Sequence, residues 1–139
     1  MNSIKLAAIG ALAFLSAAPA QAADPIAGRW ITEEREAVVQ IYTCGNRQCG
    51  KLVKYLVSPP DGLDQRDIYN PNKSLRNRKV LGTPLLTDLK PDGDLWRGDV
   101  YDPKSGKSYR AVVKRLNPTT LKVWGCIGPF CETTIWKRG

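Results

Sequence analysis

The sequence predicts an all-β fold, an eight-stranded antiparallel up-and-down barrel. Almost no segment spaces its apolar residues as a helix does. Short stretches of alternating apolar and polar residues recur instead, separated by turn residues, which is typical of antiparallel strands. Eight such stretches occur, and eight strands close a barrel that holds side chains or one small ligand. An open sandwich of two sheets is the alternative architecture.

The predicted strands follow one another through mostly short connections. Alternation is clear in the second strand, which places Val39 and Ile41 on one face and Val38 and Tyr42 on the other. Pro91-Asp92-Gly93 predicts a turn, since proline fixes φ and glycine tolerates positive φ. The predicted ranges are Gly28–Glu34, Ala37–Cys44, Gly50–Val57, Thr83–Leu89, Leu95–Tyr101, Ser108–Leu116, Leu121–Ile127 and Glu132–Arg138.

One connection is long and polar, from Ser58 to Lys79 after the third strand. The segment Asn70–Arg76 within it predicts one short helical turn. Asn70 is a favourable N-cap, and Pro71 at the first helical position loses no donor that the helix needs. Leu75 would then lie at the barrel mouth.

The N-terminus has the plan of a secretory signal peptide. An early charge, Lys5, precedes the apolar run Leu6–Ala18, which is too short to span a bilayer as an anchor. The small residues Ala20 and Ala22 suit signal peptidase, so cleavage is expected after Ala22 or Ala23. The sequence therefore predicts a periplasmic or secreted protein, with residues 1–22 removed and residues 23–139 forming a single domain.

The chain is basic, with a formal net charge of +8, or +7 once Lys5 leaves with the leader. The basic residues alternate with apolar ones, as on the wet face of strands, and do not form a block. No nucleic-acid-binding motif accompanies them, so nucleic acid is not an expected partner. An anionic component of the cell envelope is a more suitable partner for such a surface.

Histidine is absent, which excludes Ser-His-Asp and Cys-His sites. Four cysteines form two pairs of equal spacing, and behind a signal peptide they predict disulfides rather than a zinc site. Cys44–Cys49 and Cys126–Cys131 are favoured because each pair flanks a short turn that contains glycine. The alternative links the two hairpins to each other. No metal or cofactor is predicted.

Trp30 and Arg138 stand at opposite ends of the domain but on neighbouring strands of a closed meander. Gly28-Arg29-Trp30 opens the first strand, and Trp136-Lys137-Arg138 ends the last. Arg138 can then stack on the Trp30 indole as a cation–π contact. This arrangement resembles the structural signature of the lipocalin and calycin barrels. The resemblance implies structural roles for Gly28, Trp30, Trp136 and Arg138.

A longer series of motifs covers nearly all of residues 23–139. Besides Gly28-x-Trp30 and Trp136-x-Arg138, the series contains Cys44-Gly45, Cys49-Gly50, Asp67-x-x-Asn70-Pro71, Leu75-Arg76-x-Arg78, Leu81-Gly82, Trp96-x-Gly98, Val100-Tyr101-Asp102-Pro103, Gly106-Lys107-x-Tyr109 and Gly125-Cys126-Ile127-Gly128. Their order resembles the bacterial exported family catalogued as domain of unknown function 2147. The resemblance implies a small secreted or periplasmic β-barrel of lipocalin-like character and implies no particular chemistry.

Two groups of polar residues are candidates for ligand binding. They are Asp67, Asn70, Arg76 and Arg78 in the long loop, and Tyr101, Asp102, Lys107 and Tyr109 around a hairpin turn. One interpretation is a polar rim whose arginines grip a carboxylate or phosphate. The favoured interpretation is structural: Asp67 and Asp102 pair with Arg76 and Arg78 to hold the loop. Asp99 and Asp102 point to opposite strand faces, so an enzyme with paired carboxylates is not favoured.

Three functions follow as hypotheses. The preferred one is a monomeric barrel that binds a small apolar or amphipathic molecule in its interior or mouth. The alternative is a cell-envelope interaction protein that binds an anionic polymer or an acidic protein through its basic surface. The third, a hydrolase or transferase that uses carboxylates, is the least favoured.

Overall fold

The computed structural model describes residues 8–14 and 22–139. Residues 8–14 form neither helix nor strand, and the side chains of Ile9, Leu12 and Phe14 are 84–92% exposed. The rest of the predicted leader, residues 1–7 and 15–21, lies outside the described residues. Within the described ranges, no helix is long and apolar enough to cross a membrane.

Eight antiparallel strands form one closed barrel, in which each strand pairs with its neighbours in sequence and β8 returns to β1. This confirms the predicted fold. The strands are β1 (Gly28–Ile31), β2 (Ala37–Cys44), β3 (Arg47–Tyr55), β4 (Pro84–Asp92), β5 (Leu95–Asp102), β6 (Lys107–Asn117), β7 (Thr120–Ile127) and β8 (Phe130–Arg138). We call the end that holds the β2–β3, β4–β5 and β6–β7 turns the basal end, and the opposite end the upper end.

Tight hairpins extend two strands beyond their predicted starts. β3 begins at Arg47 rather than Gly50, and β8 begins at Phe130 rather than Glu132. Disulfides Cys44–Cys49 and Cys126–Cys131 close these two hairpins, as the spacing favoured. One disulfide therefore lies at the basal end and the other at the upper end.

β1 is shorter than predicted and ends at Ile31 rather than Glu34. The Thr32 amide donates to the Ala37 carbonyl at 3.0 Å, and Arg35 takes a φ of 57°, so the chain turns back early. β1 therefore pairs with β8 only at two positions, both near the basal end.

The strand register separates an inner face from an outer face, because alternate residues of a strand point to opposite sides. Nine buried side chains form a core in the basal and middle parts of the barrel, and the partly buried Trp96, Val100 and Trp136 pack against it. This core consists of Ile26, Trp30, Ile41, Leu86, Leu89, Ala111, Val113, Leu121 and Val123. The predicted contact is present as well, since the Arg138 guanidinium lies 4.8 Å from the centre of the Trp30 ring.

A short segment that precedes β1 closes the basal end. We call Asp24–Ala27 the strap. Each of its four carbonyl groups accepts a hydrogen bond from a different side chain, and the four donors come from four different strands. The bonds are Trp96 Nε1 to Asp24 at 2.9 Å, Arg115 Nη1 to Pro25 at 2.9 Å, Trp30 Nε1 to Ile26 at 2.9 Å and Arg138 Nη1 to Ala27 at 3.3 Å.

The long β3–β4 connection contains two single 3-10 turns, Gly62–Asp64 and Lys73–Leu75. The second is the predicted helical turn, whereas the first was not predicted. The predicted N-cap was wrong: Asn72, not Asn70, caps the turn by accepting a hydrogen bond from the Ser74 amide at 3.1 Å. Asn70 does not cap the turn, because its side chain forms hydrogen bonds in the network around Asp67 that is described below.

Gly98 tests how tightly the inner face is packed. A Cβ atom at Gly98 would lie 2.4 Å from the Thr87 carbonyl oxygen, whereas one at Gly125 would lie at an ordinary 3.7 Å from the Tyr109 and Val100 side chains. We expect Gly98→Ala to lower the free energy of unfolding in urea by about 2 kcal/mol or more, since the backbone must move. Gly125→Ala, the matched control, should change it little. Equal stability of the two variants would contradict the described packing.

Candidate functional site

The predicted loop residues meet at Asp67, whose side chain is buried. The Asp67 carboxylate accepts hydrogen bonds from Asn70 Nδ2 at 2.8 Å, from Arg78 Nε at 2.9 Å and from the Tyr101 hydroxyl at 2.6 Å. Arg78 supplies the opposite charge, and its side chain is one-third exposed. Both carboxylate oxygens are therefore engaged by groups of the protein itself.

Further bonds tie the backbone of this loop into the same network. The Asp67 amide donates to the Arg78 carbonyl at 3.0 Å, and Arg76 Nε donates to the Asn70 carbonyl at 2.8 Å. The Asn70 side-chain oxygen accepts from the Asn72 amide at 2.8 Å. Because Tyr101 belongs to β5, the network fastens the loop to the barrel wall at the upper end.

Burial and hydrogen bonding act in opposite directions on the Asp67 carboxyl. Burial alone raises its pKa, but hydrogen bonds from Tyr101, Asn70 and Arg78, together with the Arg78 charge, outweigh burial and lower the pKa below its usual value. Burial, and then the hydrogen bond to the Asp67 carboxylate, raise the pKa of Tyr101 to about 12. At neutral pH the pair is therefore an ionised carboxylate and a neutral phenol.

Of the second predicted group, Tyr101 alone joins this network. Asp102 caps the β5–β6 turn by accepting hydrogen bonds from the Lys104 amide at 3.0 Å and the Ser105 hydroxyl at 2.9 Å. The predicted pairing of Asp102 with Arg76 or Arg78 was wrong: among residues 22–139, no ion pair joins Asp102 to either arginine. The turn places the aspartate over its own backbone amides, which satisfies the carboxylate locally.

Lys107 and Tyr109 lie on β6, beyond this turn. Lys107 is exposed, and Tyr109 is half-buried beside Gly125. The register places Tyr109 opposite Val100, on the inner face of the barrel. Of the eight candidate residues, five gather around Asp67 and three stay apart, and a ligand-binding role for any of them stays a prediction.

The sequence did not indicate how burial changes toward the upper end of the barrel. Five residues of the inner face there are half-buried, whereas the core cluster below is fully buried: Tyr55, Val100, Tyr109, Gly125 and Thr134. We call this region the upper chamber. The Tyr55 hydroxyl is buried without a hydrogen-bond partner among the described residues. Burial also raises the pKa of this phenol, so it is a neutral group.

An incomplete seam borders the upper chamber. Because β1 ends at Ile31, the part of β8 above Lys137 pairs with β7 alone. The Glu33 carboxylate from the β1–β2 connection accepts a hydrogen bond from the Ile135 amide at 3.1 Å. A single side chain thus bridges the wall where the backbone ladder stops.

The closed eight-stranded barrel and its basal tryptophan define a lipocalin-like fold. A solved structure, protein HP1028 from Helicobacter pylori, described as belonging to the lipocalin family, shares this fold with a TM-score of 0.72. It is 24% identical, and the match covers 83% of each chain.

The chain belongs to a bacterial family, described as "Uncharacterized protein conserved in bacteria (DUF2147)", whose model matches residues 28–138. The resemblance seen in the sequence motifs is thereby confirmed. No match among curated proteins was found.

The Asp67 network makes stability depend on acid pH. Because the folded-state pKa of Asp67 is lowered, its contribution is fully present above about pH 4, the unfolded pKa, and is lost as the pH falls through the folded value. We expect Asp67→Asn to lower the free energy of unfolding by about 2 kcal/mol at pH 7 and by much less at pH 2.

The matched control is Asp61→Asn, since Asp61 lies exposed in the same loop. Chemical unfolding at several pH values should show little change for this variant. A stability loss for Asp67→Asn that is equal at pH 7 and pH 2 would contradict the charge-based account.

Proposed function

We propose that the protein is an exported, monomeric binding protein that holds one small apolar or amphipathic molecule in the upper chamber. The lipocalin-like barrel supports this proposal, since an eight-stranded barrel has room for one small ligand. The observation that carries it is the change in burial along the inner face. Below, Trp30, Leu86 and Val113 are fully buried, whereas above, Val100, Tyr109 and Thr134 are half-buried.

The composition of the upper chamber suggests the chemistry of the ligand. Val100 and the ring of Tyr109 offer apolar contact, and the exposed side chains of Ile127 and Phe130 extend this surface to the rim. An apolar surface that converges on few polar groups is typical of small-molecule sites. The unpartnered Tyr55 hydroxyl is suited to hydrogen-bond a single polar group of the ligand.

The Asp67 network has a supporting role in this proposal. It fixes the long loop to β5 at the upper end, and the Asp67 carboxylate is saturated by Tyr101, Asn70 and Arg78. A carboxylate without a free oxygen is poorly placed for acid–base chemistry, which supports binding rather than turnover.

Export is the second element of the proposal. Two disulfides fit an oxidising compartment, and the exposed apolar residues of segment 8–14 contribute nothing to the barrel core. Removal of a leader near Ala22 or Ala23 would leave the strap and the domain of residues 23–139 intact, because the strap begins at Asp24.

A blocking variant tests the upper chamber. Gly125 lies on the inner face, and a Cβ atom there would be in ordinary contact, at 3.7 Å, with Val100 and Tyr109, so the ring of Gly125→Phe should block the proposed site beside these two residues. We expect the wild-type protein to bind the amphipathic dye 1-anilinonaphthalene-8-sulfonate with micromolar affinity, and Gly125→Phe to weaken binding at least tenfold. Fluorescence titration of the folded protein measures both values.

Thr133→Phe is the matched control, since Thr133 lies on the outer face of β8 and is exposed. It adds the same ring outside the chamber and should leave the affinity unchanged. Equal affinity of Gly125→Phe and wild type, or no binding by wild type of the dye or of a medium-chain fatty acid, would overturn the proposal.

A further inference from the structure

The charges of the barrel wall are strongly segregated. Six consecutive strands around the closure, β6, β7, β8, β1, β2 and β3, contain one acidic residue, Glu132. The same six strands contain eleven basic residues: Arg29, Arg47, Lys51, Lys54, Lys107, Arg110, Lys114, Arg115, Lys122, Lys137 and Arg138. β4 and β5 differ, with acidic Asp88, Asp92, Asp99 and Asp102 against Lys90 and Arg97.

Five of these cations form a continuous line on the outer face, which we call the cationic track: Lys114, Lys122, Lys137, Arg29 and Lys51. Lys114 lies directly opposite Lys122 on the next strand. Lys137 is two residues beyond Ile135, the partner of Lys122, and Arg29 is two residues from Ile31, the partner of Lys137. Gln40 lies opposite Arg29 and joins it to Lys51.

Successive cations of the track therefore lie directly opposite each other, diagonally across two adjacent strands, or on two strands with one strand between them. These arrangements correspond to roughly 5–10 Å between their Cα atoms. Both diagonal steps run toward the basal end, so the line is a belt around the outside of the barrel. Alternation places all five side chains outside, because their neighbours along each strand, such as Val113, Leu121 and Trp30, are in the core.

Such a line is unfavourable for the isolated protein. Like charges directly opposite on neighbouring strands, as at Lys114 and Lys122, are destabilising. Within residues 22–139, Lys114 is the only one of the five that forms an ion pair with a carboxylate, that of Asp94 at 2.9 Å. The belt therefore carries an excess of positive charge that an anionic partner would neutralise.

We propose that the cationic track binds a linear acidic polysaccharide. A flexible chain can follow the belt around the barrel, whereas a flat membrane reaches one side of it. Aromatic rings beside the track are already covered by its own lysines, Tyr42 by Lys51 at 5.0 Å and Trp124 by Lys122 at 4.6 Å. They are therefore not free for the base stacking that single-stranded nucleic acids use. This surface is distinct from the upper chamber and does not depend on it.

The experiment compares two variants of equal net charge. The track variant carries Arg29→Gln, Lys122→Gln and Lys137→Gln. The control variant carries Lys73→Gln, Lys79→Gln and Lys90→Gln, which lie off the track in the long loop and on β4. The probe is polygalacturonate, a carboxylated polysaccharide, with neutral dextran as the blank, and binding is measured by calorimetry across a salt series.

We expect wild type and the control variant to bind polygalacturonate alike and to ignore dextran. The track variant should bind at least tenfold more weakly at low salt. The slope of log affinity against log salt should fall by about two, at roughly 0.7 for each cation removed. Unchanged thermal unfolding of both triple variants would confirm that folding is intact.

Several results would overturn the proposal. Equal weakening of both variants would mean that net charge alone attracts the polymer. Absence of binding by wild type would remove the site altogether. Tighter binding of single-stranded DNA or of phosphatidylglycerol vesicles at matched charge would assign the belt to a different partner. Dye binding in the upper chamber is unaffected by each of these results, so the two proposals fail separately.

Discussion

The barrel depends on the position of Trp30. Its ring is fully buried, and two guanidinium groups lie near it, that of Arg138 at 4.8 Å and that of Arg115 at 6.0 Å from the ring centre. Its indole N–H donates to the Ile26 carbonyl, so one side chain connects the first strand, the last strand and the strap. Such cation–π contacts gain strength when they are shielded from water. Trp30 thus helps to close the barrel and also fills its base.

This arrangement divides the molecule by height. The base holds the β1–β8 pairing, a packed core and four docked carbonyl groups, so we expect it to be the more rigid part. The upper end has an incomplete seam at β8, a loop held through Asp67 and an inner face that is half-buried. Regions with fewer buried contacts open more readily, and binding sites are drawn from them. The proposed ligand site and the rigid base are therefore complementary consequences of one fold.

Sequence patterns predicted the parts of this structure that depend on local alternation and on the two chain ends. The alternation of apolar and polar residues predicted eight strands. Trp30 and Arg138 predicted the contact between the first strand and the last. Trp96 and Arg115 could not be assigned as donors to the strap, because their partners lie about seventy or more residues away and are backbone carbonyls of no distinctive type. The sequence did not predict the early end of β1, because the residues of the turn at Thr32 fit the pattern expected of a continuing strand. The predicted pairing of Asp102 with an arginine was wrong, because an aspartate in a turn can accept its hydrogen bonds from the turn itself.

Hydrogen exchange of the tryptophan indole groups tests the central claim most directly. The account predicts that the Trp30 indole N–H, followed by NMR, exchanges only through global unfolding. The Trp136 indole N–H, which donates to Thr134 at the edge of the upper chamber, should exchange faster through local opening. Exchange of Trp30 as fast as that of Trp136 would contradict a rigid base built around the first strand.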